Sequence, residues 1–107
     1  MFYRFLIEKH GKKSGLFHPK KAWNVPKEGG LYDIVRENFS SLGYSKSFKG
    51  KSESWFTEKG VEKYSTQINR LINFYKQFGI SVLLEKRPIL TDIVDQDEDQ
   101  VWCAKKK

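Results

Sequence analysis

The chain of 107 residues carries twenty Lys and Arg against thirteen Asp and Glu, a formal net charge of +7, with 15% aromatic residues and one cysteine. That length supports one hydrophobic core and excludes two, so a single domain over residues 1–104 with a basic tail at 105–107 is expected. The aromatic content excludes a disordered chain, the lone Cys103 excludes an internal disulfide and a cysteine-based zinc site, and no run reaches the roughly 20 apolar residues of a spanning helix.

Phe2 to Glu8 alternates Tyr3, Phe5 and Ile7 with Arg4, Leu6 and Glu8, the period of a strand buried on at least one side. The charges in MFYRFLIEKHGKK stand in the wrong place for a secretory signal, so a cytoplasmic, membrane-free setting is expected. HGKKSG breaks the strand, and extended chain resumes at Leu16 and Phe17, predicting a hairpin with a basic tip. Pro19, Pro26 and Gly29-Gly30 then punctuate a loop holding Lys20, Lys21, Trp23 and Lys27.

Leu31, Ile34, Val35, Phe39 and Leu42 recur at helical spacing before Gly43, predicting a short amphipathic helix with a glycine cap. YSKSFKGKSESWF, residues 44–56, reads as two extended runs around a Lys-Gly-Lys turn. Thr57 is a good N-cap, and Val61, Tyr64, Ile68, Leu71, Ile72, Tyr75 and Phe78 trace one face of a long helix that ends at Gly79. Gly60 in its first turn costs about 1 kcal/mol against alanine, a weakness that a fraying end tolerates.

ISVLLEK, residues 80–86, lacks polar alternation and predicts an interior strand. ILTDIV and QVWCA flank the acidic DQDED as a terminal hairpin with a charged tip. The expected class is α+β: a mostly antiparallel, or mixed, sheet with one short and one long helix on one face.

Five acids fall in residues 92–99, so the rest of the chain sets twenty basic against eight acidic residues. Such a surface suits nucleic acid, an acidic protein face or a phosphorylated ligand, and serves solubility as well. Two clusters interleave lysine with aromatic rings: Lys20, Lys21, Trp23 and Lys27, then Lys46, Phe48, Lys49, Lys51 and Trp55. Lysines neutralise phosphates without reading sequence, and exposed rings stack on unpaired bases. Buried, the same rings would simply be core anchors.

P-loop, Rossmann, zincin and nucleophile-elbow patterns are absent, and His10 with His18 would need a third ligand to hold a metal. A winged-helix reading meets the acidic DQDED tip where phosphate would lie. Arg4 on the first strand, the Ser-x-Ser of Ser52 and Ser54, and a later acid resemble the arginine, serine and glutamate pattern of ADP-ribosyltransferases. That resemblance implies an arginine and serine that hold a dinucleotide and a glutamate that assists transfer. No Glu-x-Glu follows Ser54, so Glu85 or Glu98 would stand in for the glutamate. Ser-x-Ser beside a turn is far more often an ordinary feature, because serine suits exposed edge and turn positions.

The leading expectation is a non-enzymatic module, without cofactor or metal, that engages nucleic acid through the two lysine and aromatic clusters. The alternatives are an inhibitor or adaptor of phage or mobile-element type that docks on an acidic protein surface, and an NAD-binding domain.

Overall fold

The computed structural model of the protein describes residues 1–42 and 52–105. Its strands are β1 (Phe2–Lys9), β2 (Lys12–Gly15), β3 (Ser52–Phe56), β4 (Ser81–Arg87), β5 (Ile93–Gln96) and β6 (Gln100–Ala104); its helices are α1 (Tyr32–Asn38), α2 (Glu58–Lys63) and α3 (Ser65–Lys76). The fold is α+β, with a six-stranded antiparallel sheet in the order β2-β1-β3-β6-β5 and β4 paired to β1. The chain divides into two compact units: Met1–Arg4, Leu42–Lys63 and Glu85–Lys107 form the first, Phe5–Ser41 and Tyr64–Leu84 the second.

In the first unit, β3 lies antiparallel between β6 and the start of β1, with Trp55 opposite Val101 and Tyr3 opposite Phe56. Trp55, Leu90, Val101 and Cys103 form its core, and Phe2 packs against them. The acidic hairpin forms as expected: β5 and β6 pair on either side of it, and Asp97 Oδ1 accepts the backbone N–H groups of Asp99 and Gln100 at 2.8 Å each. A carboxylate that satisfies two turn amides explains why the tip begins with aspartate.

Thr57 caps α2 as expected, its Oγ1 accepting from Gly60 N at 3.0 Å while donating to Glu98 O at 2.7 Å. Thr57 N also donates to Asp99 O at 3.0 Å, so the helix start and the hairpin tip are stitched together. Gly60 is part of this seam rather than a tolerated weakness. It is buried, and an added Cβ would lie 2.1 Å from Asp99 O.

In the second unit the hairpin turn is only His10 and Gly11, both in left-handed backbone at φ 53° and 74°. A two-residue turn starts the return strand at once, so β2 occupies Lys12–Gly15 and not the expected Leu16–Phe17. Leu16 is instead a core residue, whose carbonyl accepts from the buried Tyr75 hydroxyl at 2.5 Å.

The single long helix that periodicity predicts is two. Tyr64, between α2 and α3, leaves helical backbone at φ −105° and ψ 14°. Its ring stacks on Phe39 at 5.9 Å, and its hydroxyl lies 2.8 Å from Ser41 Oγ. Gly79 ends α3 as expected, with Ile80 N donating to Tyr75 O and Gly79 N to Lys76 O at 3.2 Å each. α1 is shorter than its apolar spacing suggests and stops at Asn38; Gly43 and the first extended run of the 44–56 hairpin lie outside the described residues. No residue of β4 is buried and Leu84 is 47% exposed, so β4 is not the interior strand that its apolar run suggested.

Candidate nucleic-acid interface

The second unit holds nine of the twenty Lys and Arg residues against four of the thirteen acids. Much of that excess lies in the loop between β2 and α1. Lys20 is extended, Lys21–Trp23 make one 3₁₀ turn closed by Trp23 N to Lys20 O at 3.0 Å, and Asn24 takes left-handed backbone at φ 56°. Asparagine tolerates that conformation better than most side chains. Pro26 restores an extended chain, and Glu28 (φ −76°, ψ 135°) with Gly29 (φ 73°, ψ 7°) forms a type II turn. The third position of that turn needs positive φ, which explains Gly29.

Within this loop burial alternates with charge. Trp23 and Val25 point inward at 5% and 8% exposure, while Lys20, Lys21, Asn24 and Lys27 face solvent. Pro19, Lys20, Lys21, Asn24, Val25 and Lys27 line an open cleft of about 390 Å³. None of its three lysines makes an ion pair among the described residues. The inward tryptophan therefore acts as the anchor of a loop whose three lysines are exposed around one cleft.

The two tryptophans of the lysine clusters, Trp23 and Trp55, depart from the expectation of exposed stacking rings. Trp23 is a core anchor, and Trp55 is 1% exposed in the first unit, its ring covered by the Arg87 guanidinium at 5.1 Å. Aromatic rings of this size gain more from burial than from a wet surface. Of the second cluster, Lys46, Phe48, Lys49 and Lys51 lie outside the described residues.

An exposed ring is nevertheless present where sequence reasoning did not look. Tyr32, 47% exposed, opens α1 directly after the lysine loop, and its backbone N–H donates to Lys27 O. The signal was in the helical spacing: the stripe through Leu31, Ile34 and Val35 leaves position 32 pointing away. The β1–β2 hairpin adds Lys12 and Lys13, both exposed. Other cations are already engaged: Lys9 Nζ donates to Phe78 O at 2.8 Å and Arg70 to Asn38 Oδ1 at 2.9 Å.

The acidic tip of the first unit is largely matched by α2. Lys59 Nζ lies 2.8 Å from Glu98 Oε2, and Lys63 Nζ 3.2 Å from Asp99 Oδ2. Hydrogen bonding within the first pair holds the Lys59 ammonium above its ordinary value and the Glu98 carboxyl below its own. Arg4 is drawn to two carboxylates, Glu53 and Glu85, each at 3.7 Å. Ser52 and Ser54 sit on β3 opposite Ala104 and Trp102, with Ser54 exposed. Of the transferase-like residues, Arg4 and Glu85 meet as an ion pair, while Glu98 is bound to Lys59.

Among the described residues no three His, Cys, Asp or Glu side chains converge as metal ligands, and no helix is long and apolar enough to cross a membrane. No family model, curated protein or solved structure matches the chain.

Proposed function

We propose that the protein binds nucleic acid through the phosphate backbone, without catalysis, on the lysine surface of its second unit. The observation that carries this reading is the cleft lined by Lys20, Lys21 and Lys27, exposed and without ion pairs among the described residues, in a loop whose Trp23 and Val25 are buried. A loop braced from behind loses little additional freedom on binding, which favours contact with a polyanion. With Trp23 and Trp55 inside, recognition rests on charge, and Tyr32 is an exposed ring, among the described residues, that can stack on an unpaired base. Binding is therefore tolerant of sequence and steep in salt. A cytoplasmic site of action goes with this reading.

The decisive variant is Lys20→Glu/Lys21→Glu/Lys27→Glu, measured by anisotropy of a labelled oligonucleotide across salt concentrations. Each phosphate contact contributes about 0.7 to the salt slope on single strands and about 0.9 on duplex, so loss of three should flatten the slope by about 2 units on single strands and about 3 on duplex. An unchanged slope and affinity would remove this surface from the account.

The adaptor reading has its own support in the first unit, where Ile89 is 75% and Ile93 47% exposed. On that reading, affinity for a protein partner would follow Ile89→Ser and ignore the lysine variant.

A further inference from the structure

A second cleft, of about 350 Å³, opens in the first unit and takes no part in the lysine surface. Its size falls in the range of small-ligand sites, about 300–1,000 Å³. The floor is apolar, made by Trp55, Leu90 and Cys103. Its polar wall is balanced in charge: Arg87 and Lys105 stand against Glu53 and Asp92, with the Thr91 hydroxyl among them.

That balance decides the class of ligand. A polyanion would meet two carboxylates, and a simple cation would meet a guanidinium and an ammonium. A small molecule with one charge of each sign finds an opposite charge on the wall for each of its ends. Arg87 is the oriented member of the set. Its guanidinium carbon lies 5.1 Å from the centre of the Trp55 ring, a cation–π contact that holds the group at the cleft, and a guanidinium there can take a carboxylate through two N–H groups. Arg87 makes no ion pair among the described residues. Glu53 is 29% exposed and meets Arg4 only at 3.7 Å, and a carboxylate offers about four acceptor positions, so capacity for an ammonium remains.

We propose that this cleft binds a free α-amino acid with an apolar side chain. Its carboxylate lies on the Arg87 guanidinium, its ammonium on Glu53, and its side chain over Leu90 and Cys103. The inference rests on the first unit alone and stands or falls apart from nucleic-acid binding.

The test is isothermal titration of the full chain with L-leucine and with L-phenylalanine, alongside L-leucinamide, which lacks the carboxylate, and N-acetyl-L-leucine, which lacks the ammonium. Saturable heat is expected for at least one of the free amino acids, with either blocked derivative binding on the order of tenfold more weakly. Arg87→Gln should lose affinity to a similar extent, and Arg87→Lys, which keeps the charge but not the fork, should recover only part of it. Circular dichroism of each variant separates lost binding from lost fold. No saturable heat from either free amino acid up to about 10 mM would overturn the proposal, as would blocked derivatives that bind equally or a folded Arg87→Gln with native affinity.

Discussion

Gly60→Ala separates two kinds of reasoning that give opposite signs. Helix propensity alone makes alanine better than glycine in α2 by about 1 kcal/mol. The structure opposes this, because the new methyl would sit 2.1 Å from Asp99 O, 2.9 Å from Asp99 C and 3.1 Å from Asp99 Cα. All three are backbone atoms of a turn held by Thr57 N to Asp99 O and by Thr57 Oγ1 to Glu98 O, so no flexible side chain can yield. Relief requires the carbonyl to retreat by about 1 Å, breaking a hydrogen bond worth about 1 kcal/mol, with an overpacking cost of about 1–3 kcal/mol. After the propensity gain the net destabilisation is about 1–3 kcal/mol, or a fall in Tm of about 4–8 °C per kcal/mol. Urea and thermal unfolding followed by circular dichroism measure it directly. A variant that matches or exceeds the parent in stability would refute the close approach of α2 to the hairpin tip.

Thr57→Ala should cost about 1–2 kcal/mol in the same assay, since it removes both the α2 cap and the bond to Glu98 O. Tyr75→Phe should cost about 1–3 kcal/mol, because it leaves the Leu16 carbonyl without its donor. Burial pushes the Tyr75 phenol well above its ordinary value of 10.0, so the fold holds the neutral form and its stability falls as pH rises beyond about 10. Absorbance at alkaline pH should show one of the five tyrosines ionising only with unfolding. Burial, with Glu53 and Asp92 nearby, raises the Cys103 thiol despite Arg87, so an aromatic disulfide reagent at mild alkaline pH should modify it on the order of tenfold or more slowly in the native than in the denatured chain.

What could be read from the residues was local. The strand over Phe2–Glu8, the capping threonine at 57, the stop at Gly79 and the acidic turn at 97–99 each depend on neighbours a few positions away, and each appears in the structure, although Leu6 and Ile7 are both buried where alternation would have put only one inside. The departures come from contacts distant in sequence. The 61, 64, 68, 71, 75 stripe runs through the break at Tyr64, because the same face stays apolar on both sides of it; the break accompanies contacts with Phe39 and Ser41. Gly60 looked like a weak helix residue, because its neighbour Asp99 is thirty-nine positions away.

The candidate site divides along the same line. Lys20, Lys21 and Lys27 were legible from charge and from the punctuation of their loop, and they are exposed together around one cleft. The direction of Trp23 was only partly legible: a core anchor is the commoner state of any one large ring, yet a ring among lysines also suits a platform, and here it is the anchor. Tyr32 lies off the apolar stripe of its helix and outside both lysine clusters, so only its helical position marks it as an exposed ring.

The central claim is tested most directly by the salt dependence of oligonucleotide binding for the parent and for Lys20→Glu/Lys21→Glu/Lys27→Glu. Steep, sequence-tolerant binding by the parent is expected, with a slope flatter by about 2 units on single strands and about 3 on duplex in a variant that remains folded. Binding by the variant with the parent's slope and affinity, or no binding by the parent at low salt, would contradict it.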